Sequence, residues 1–141
     1  MVDPRKWADS VEQEREEVVN QKAQAEAAFI ARREIFNQGA PKLWPAVREA
    51  FNRFCNAYNE KRDVLYCADV GSRTFIVKRK DLPNVVMTVE GIAVHRLKVN
   101  SKIYTPEVFD NGHGSVSYVS QGAPITPDEI AAEALSAIAK I

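Results

Sequence analysis

Val64-Leu65-Tyr66-Cys67-Ala68-Asp69-Val70-Gly71-Ser72-Arg73-Thr74-Phe75-Ile76-Val77-Lys78-Arg79 is the stretch that decides the fold. Before about residue 62, apolar residues recur with a helical period. Here β-branched and aromatic residues crowd on either side of a Gly-Ser turn signal, so the period changes to that of strands. Further on, residues 85–89 and 92–99 flank Glu90-Gly91, and residues 102–109 follow Asn100-Ser101. Residues 115–120 follow the loop Asp110-Asn111-Gly112-His113-Gly114. Connections this short cannot carry crossovers, so neighbouring strands pair antiparallel in a meander of about six strands.

The faces of these strands follow from the turns. With Gly71-Ser72 as a two-residue turn, Tyr66 opposes Val77 and Ala68 opposes Phe75. Val85, Met87, Val89, Ile92 and Val94 then share one side, after which Leu97, Val99 and Tyr104 fall on the side of His95. This pattern predicts a sheet apolar on opposite faces at its two halves, bulged and twisted, or covered on both sides by helices or a second subunit.

Upstream, Asp3-Pro4 supplies a capping oxygen and a residue already at helical φ. From there to Asn37 neither Gly nor Pro interrupts a run rich in Glu, Gln, Ala and Arg. Trp7, Val11 and Val18 are spaced for one face, but Glu14 and Gln21 occupy the positions of a second seam row. Ala25, Ala28, Phe29, Ile35 and Phe36 make a richer stripe, so the front reads as an exposed arm and the back as packed. Gly39-Ala40-Pro41 ends this helix, and a second carries Leu43, Trp44, Val47, Ala50, Phe51, Phe54 and Tyr58 at the spacing of a core helix. At the other end, Thr126-Pro127-Asp128-Glu129 spells a capping box with Pro in the first turn, and Ile125 and Ile130 are placed for a hydrophobic staple. The fold class is therefore α+β: two N-terminal helices, the antiparallel meander, and a C-terminal helix packed on the sheet. Residues 1–38 form the long helix, an arm or packing helix, and 39–141 a single globular domain.

Composition narrows the function. Lys plus Arg equals Asp plus Glu at 19 each, so no net field draws in nucleic acid or an anionic membrane. No apolar run approaches the ~20 residues of a membrane helix, and the N-terminal segment does not read as a signal peptide. With two cysteines and no ligand spacing, a reduced, cytoplasmic protein is expected.

His95 is a candidate acid or base, placed on a strand beside Leu97 and across from Pro106. The commoner use of such a histidine is as a satisfied core residue. His113 lies with Asp110 and Asn111 on a Gly-flexible loop that could contact a ligand, although Asn-Gly is also what a tight turn demands. Cys67 sits mid-strand with no nearby cation in the sequence to activate it, Cys55 lies on the core helix, and a bridge between them stays open. Lys61, Arg62, Arg73, Lys78, Arg79 and Lys80 make a basic ribbon that reads as a solvated edge discouraging strand addition. The chain carries no Gly-rich phosphate loop, paired-Cys, HExxH or GxSxG pattern.

The reading is a non-enzymatic cytoplasmic protein-interaction module that self-associates, as a homodimer or higher homo-oligomer, through the N-terminal helix, the sheet or both. It calls for no cofactor and no metal, no membrane partner and no nucleic acid. The alternative is a small-ligand-binding protein or enzyme with a pocket between sheet and helices, using His95, Tyr104 and His113.

Overall fold

The computed structural model describes residues 1–109 and 114–141. Its contacts divide the chain into two units, Met1–Glu34 and Ile35–Ile141. Helix α1 runs Pro4–Gly39, a 3-10 turn Ala40–Lys42 follows, and α2 runs Leu43–Asn59. Seven strands come next: β1 Leu65–Gly71, β2 Thr74–Arg79, β3 Val86–Ile92, β4 Arg96–Val99, β5 Lys102–Phe109, β6 Ser115–Ser120 and β7 Ala123–Ile125. Helix α3, Pro127–Ala139, closes the order. The class is α+β, with one antiparallel sheet in the order β1 to β7 and α3 packed on it.

The Met1–Glu34 unit is helix almost throughout, and α1 contains no buried residue. Its apolar second half does not form a packed stripe: Ala25 and Ala28 are exposed and Phe29 is 68% accessible. Only beyond the unit boundary, at Ile35 and Phe36, does α1 become half-buried. Gly39, Lys42 and Leu43 all keep right-handed helical dihedrals, so Gly39-Ala40-Pro41 tightens the helix into a 3-10 turn instead of breaking it.

In the larger unit, α2 buries the row its period announces, Leu43, Val47, Ala50, Phe51 and Cys55. Phe51 meets Phe75 of β2 edge-on at 5.2 Å between ring centroids, and Trp44 lies 5.6 Å from the same ring. Asn59 joins the end of α2 to β1, its Oδ1 accepting from the amides of Val64 and Leu65 and its Nδ2 donating to the Leu65 carbonyl. Helix α3 starts on the predicted capping box, with the Glu129 amide donating to Thr126 Oγ1 at 3.1 Å. Ile125 and Ile130 on either side of it are both buried.

Two turns differ from the sequence expectation, and together they change the sheet's faces. The first hairpin turns at Ser72-Arg73, with a bulge between Asp69 and Gly71, so Cys67 opposes Val77 and Tyr66 opposes Lys78. Leu65 and Cys67, not Tyr66 and Ala68, therefore share the inner face, and Tyr66 is exposed. Glu90-Gly91 is not a turn. Strand β3 runs on to Ile92 and the chain reverses through Ala93-Val94-His95, setting Val89 opposite Val99 and Gly91 opposite Leu97. Gly91 is needed for a different reason, since a Cβ there would stand 3.3 Å from the Trp44 ring. The odd-numbered turn restores parity. Phe75, Val77, Met87, Val89, Leu97, Val99 and Tyr104 all lie on one buried face, in one cluster with α2 and α3, and the two-sided apolar sheet is not observed.

The remaining joins are short. Asn100-Ser101 turns β4 into β5 as read from the sequence, with Asn100 at φ 52°. Strand β5 pairs with β4 up to Tyr104 and with β6 from Thr105, so Pro106 falls where β4 has ended and its missing N–H breaks no ladder. Gln121 and Gly122, both at positive φ, form a two-residue turn into β7, a strand additional to the six expected.

Candidate functional site

The sequence candidates do not converge. His95 lies in the β3–β4 turn at φ 57°, not on a strand, and meets Phe36 edge-on at 6.1 Å. The cavity beside it, lined by Trp44, Arg73, Arg96 and Tyr118 among others, has a volume of about 10 Å³. That is room for a single water at most. Tyr104 is 3% exposed, opposite Leu97, with its ring 6.5 Å from that of Tyr118 in the core. Burial pushes the Tyr118 hydroxyl up to about 12, so it stays protonated. His113 lies outside the described residues.

In the basic ribbon Lys61, Arg62, Arg73 and Lys80 are exposed, as a solvated ribbon would have them, and Arg79 is the exception. Arg79 is 2% exposed, since β2 turns it to the inner face opposite Leu65. Its Nη1 donates to the backbone oxygens of Ile138 and Ile141 at 3.3 and 2.6 Å, satisfying carbonyls left over where α3 ends. Arg62 pairs with Asp81 at 3.0 Å and Lys80 with Asp63 at 3.1 Å. Half of the six cations are thus committed within the fold.

Among the described residues, reactive side chains meet at the junction of α2 with β1. Cys55 Sγ and Cys67 Sγ lie 3.5 Å apart, both as free thiols. Cys55 is 4% exposed, whereas Cys67 is half-buried on β1, an edge strand. Above them Arg48 of α2 donates from Nε to Asp69 of β1 at 2.9 Å and from Nη1 to Asn52 Oδ1, and its guanidinium rests 4.7 Å over the Phe75 ring. The hydrogen bond with Cys55 holds the Cys67 thiol below its ordinary range, against the cost of burial, and the charge of Arg48 acts the same way. Cys55 is pushed up by that same bond and by burial. In the sequence Cys67 stands between Tyr66 and Ala68, with no cation beside it. The signal lay in Arg48, one turn of α2 before Asn52 and two before Cys55, and it needs the docking of α2 on β1 to be seen.

Between α2, β1 and α3 an open groove of about 330 Å³ is lined by Phe54, Tyr58, Leu65, Leu135, Ala139 and Lys140. Among the described residues every buried side-chain nitrogen and oxygen has a partner, and no cluster of His, Cys, Asp or Glu is arranged to hold a metal ion. No helix among them is long and apolar enough to cross a membrane. No family model matches the chain, and neither a curated protein nor a solved structure matches it. The class defined so far is an α+β protein with a seven-stranded antiparallel meander and a long unburied helix.

Proposed function

We propose that the chain is a non-enzymatic protein-interaction module that self-associates through α1. The observation that carries this reading is a 36-residue helix with no buried residue that exposes Trp7, Val11, Val18 and Phe29. At 3.6 residues per turn these four and Ala25 fall on one narrow stripe. The stripe is also symmetric along the helix: Trp7 and Phe29 are equidistant from Val18, as are Val11 and Ala25. A surface of that kind is complementary to itself. An antiparallel second copy centred on Val18 brings each large ring level with the other and makes the isologous contact of a two-fold dimer. Zero net charge leaves little repulsion between copies. The single inner face of the sheet moves the argument for self-association from the sheet to the helix.

Light scattering on the full chain and on two variants tests it. Val18→Glu sets two carboxylates against each other at the dimer axis and is expected to give a monomer. Val19→Glu, at a position 53% exposed but off the stripe, is expected to leave the dimer intact. A monomeric wild-type protein, or identical masses for all three, ends the reading.

The groove between α2 and α3 favours a second reading, in which a small apolar ligand lies over Leu65 and Leu135. Its size falls within the range of ligand pockets. An environment-sensitive apolar dye that binds wild type and Leu135→Ala alike would exclude this site.

A further inference from the structure

We propose that Cys55 and Cys67 form a reversible dithiol–disulfide site, oxidised by small-molecule disulfides of the glutathione class. The inference is independent of how α1 associates. The two are the only cysteines of the chain, and the fold brings them from α2 and β1 to a sulfur separation of 3.5 Å with both thiols free. A bonded pair sits at about 2.05 Å, so about 1.5 Å of sulfur separation remains to be closed.

Their surroundings differ in the way that an attacking and a resolving thiol need. Cys67 is half-buried on the edge strand, where a small disulfide can reach it, and Cys55 is enclosed. Arg48 faces the pair from α2 and Asp69 from β1, and these two hold each other at 2.9 Å. The cation stabilises sulfur charge on Cys67, while Asp69, drawn off by Arg48 Nε, opposes it only in part.

The chemistry balances without a cofactor. The Cys67 thiolate attacks one sulfur of R–S–S–R. A new bond forms at Cys67 Sγ, the reagent's S–S bond breaks, and R–S⁻ leaves to take up the proton that Cys67 released. Cys55 Sγ then attacks Cys67 Sγ, displaces the second R–S⁻, and gives it the Cys55 proton. Two protein thiols are oxidised and one small disulfide is reduced to two thiols. The product ties edge strand β1 covalently to core helix α2, and excess R–SH reverses it.

The test incubates the full chain in glutathione buffers of increasing oxidised-to-reduced ratio, then alkylates and measures intact mass. Wild type is expected to lose both alkylatable thiols together, to retain no glutathione, and to regain both thiols in reduced buffer. Cys55→Ser is expected to stop at a glutathione adduct on Cys67, and Cys67→Ser to react on the order of ten-fold more slowly than Cys55→Ser. Two alkylatable thiols at every ratio in wild type overturns the proposal. So does a Cys67→Ser variant that takes up glutathione as fast as Cys55→Ser.

Discussion

Arg79 and Asp81 hold each other by two hydrogen bonds, Nε to Oδ1 at 3.0 Å and Nη2 to Oδ2 at 2.7 Å. The pair leaves Nη1 of Arg79 free to reach the end of α3, some sixty residues on in the sequence. One guanidinium thus anchors the closing helix to the second strand, and Asp81 neutralises it. Removing Asp81 leaves the buried guanidinium of Arg79 without a counter-charge, which costs more than the pair itself contributes, whereas Asp81 without Arg79 would keep Arg62 at 3.0 Å.

Asp81→Asn is expected to lower the urea midpoint at neutral pH and to flatten the acid limb of the stability curve. The bond from Arg79 holds the Asp81 carboxyl below its ordinary range, with burial opposing. A depressed folded pKa contributes stability that is complete above the unfolded value of about 3.9 and is lost as pH falls through the folded value. Wild type should therefore lose more stability than the variant between about pH 5 and pH 2. Parallel curves for the two proteins would show that this carboxylate does not carry the linkage.

Gly39→Ala is expected to destabilise, against the usual sign. Alanine in a helix is ordinarily better than glycine by about 1 kcal/mol. At Gly39, however, a Cβ would stand 2.7 Å from Val116 Cγ2 and 3.0 Å from its Cβ. Overpacking of this kind costs roughly 1–3 kcal/mol and should win. Val116→Ala in the same chain removes the methyl group at 2.7 Å and should recover part of the loss, the Val116 Cβ at 3.0 Å remaining. If the double variant is no more stable than Gly39→Ala, the close approach is not the cause.

Thr126→Ala is expected to cost about 1 kcal/mol, the worth of an N-cap. Thr126 Oγ1 accepts from the Glu129 amide, and Glu129 Oε1 accepts from the Thr126 amide at 3.3 Å. Because the two side chains act as one box, Glu129→Ala added to Thr126→Ala should cost less than the two separate losses combined. Chemical denaturation of the four proteins in the cycle measures it, and strict additivity would dissolve the box into two independent caps.

What could be read in advance was local. The row Leu43, Val47, Ala50, Phe51 and the Thr126–Glu129 box each announce themselves within a few residues, and both helices stand where expected. Gly91 could not be read, because a glycine admitting the Trp44 ring looks the same in sequence as a glycine making a turn. That ambiguity inverted the face of every strand after it, and the two-sided sheet followed from it. Arg79 looked solvated because it sits in a basic run, and only the arrival of the end of α3 explains its burial. The meeting of Cys55 with Cys67 depends on the docking of α2 and on a bulge between Asp69 and Gly71 that no turn signal reveals. The three-residue β7, with Pro124 at its centre, is too short to carry a period.

Val94→Asn and Val94→Gly are expected to stabilise the protein. Val94 sits at φ 60° in the β3–β4 turn, 70% exposed, and a β-branched residue is disfavoured in that region by roughly 1–2 kcal/mol. Glycine removes the steric cost but adds about 0.5–1 kcal/mol of backbone entropy to be lost on folding, so its net gain should be about 0–1.5 kcal/mol. Asparagine tolerates the left-handed region without that entropic cost and should gain at least as much. Thermal midpoints of the three proteins decide it. A fall in both variants would mean that the Val94 side chain holds the turn through its own contacts. A rise in both would mark the turn as strained in the native fold, and with it the left-handed placement that takes neighbouring His95 off the strand.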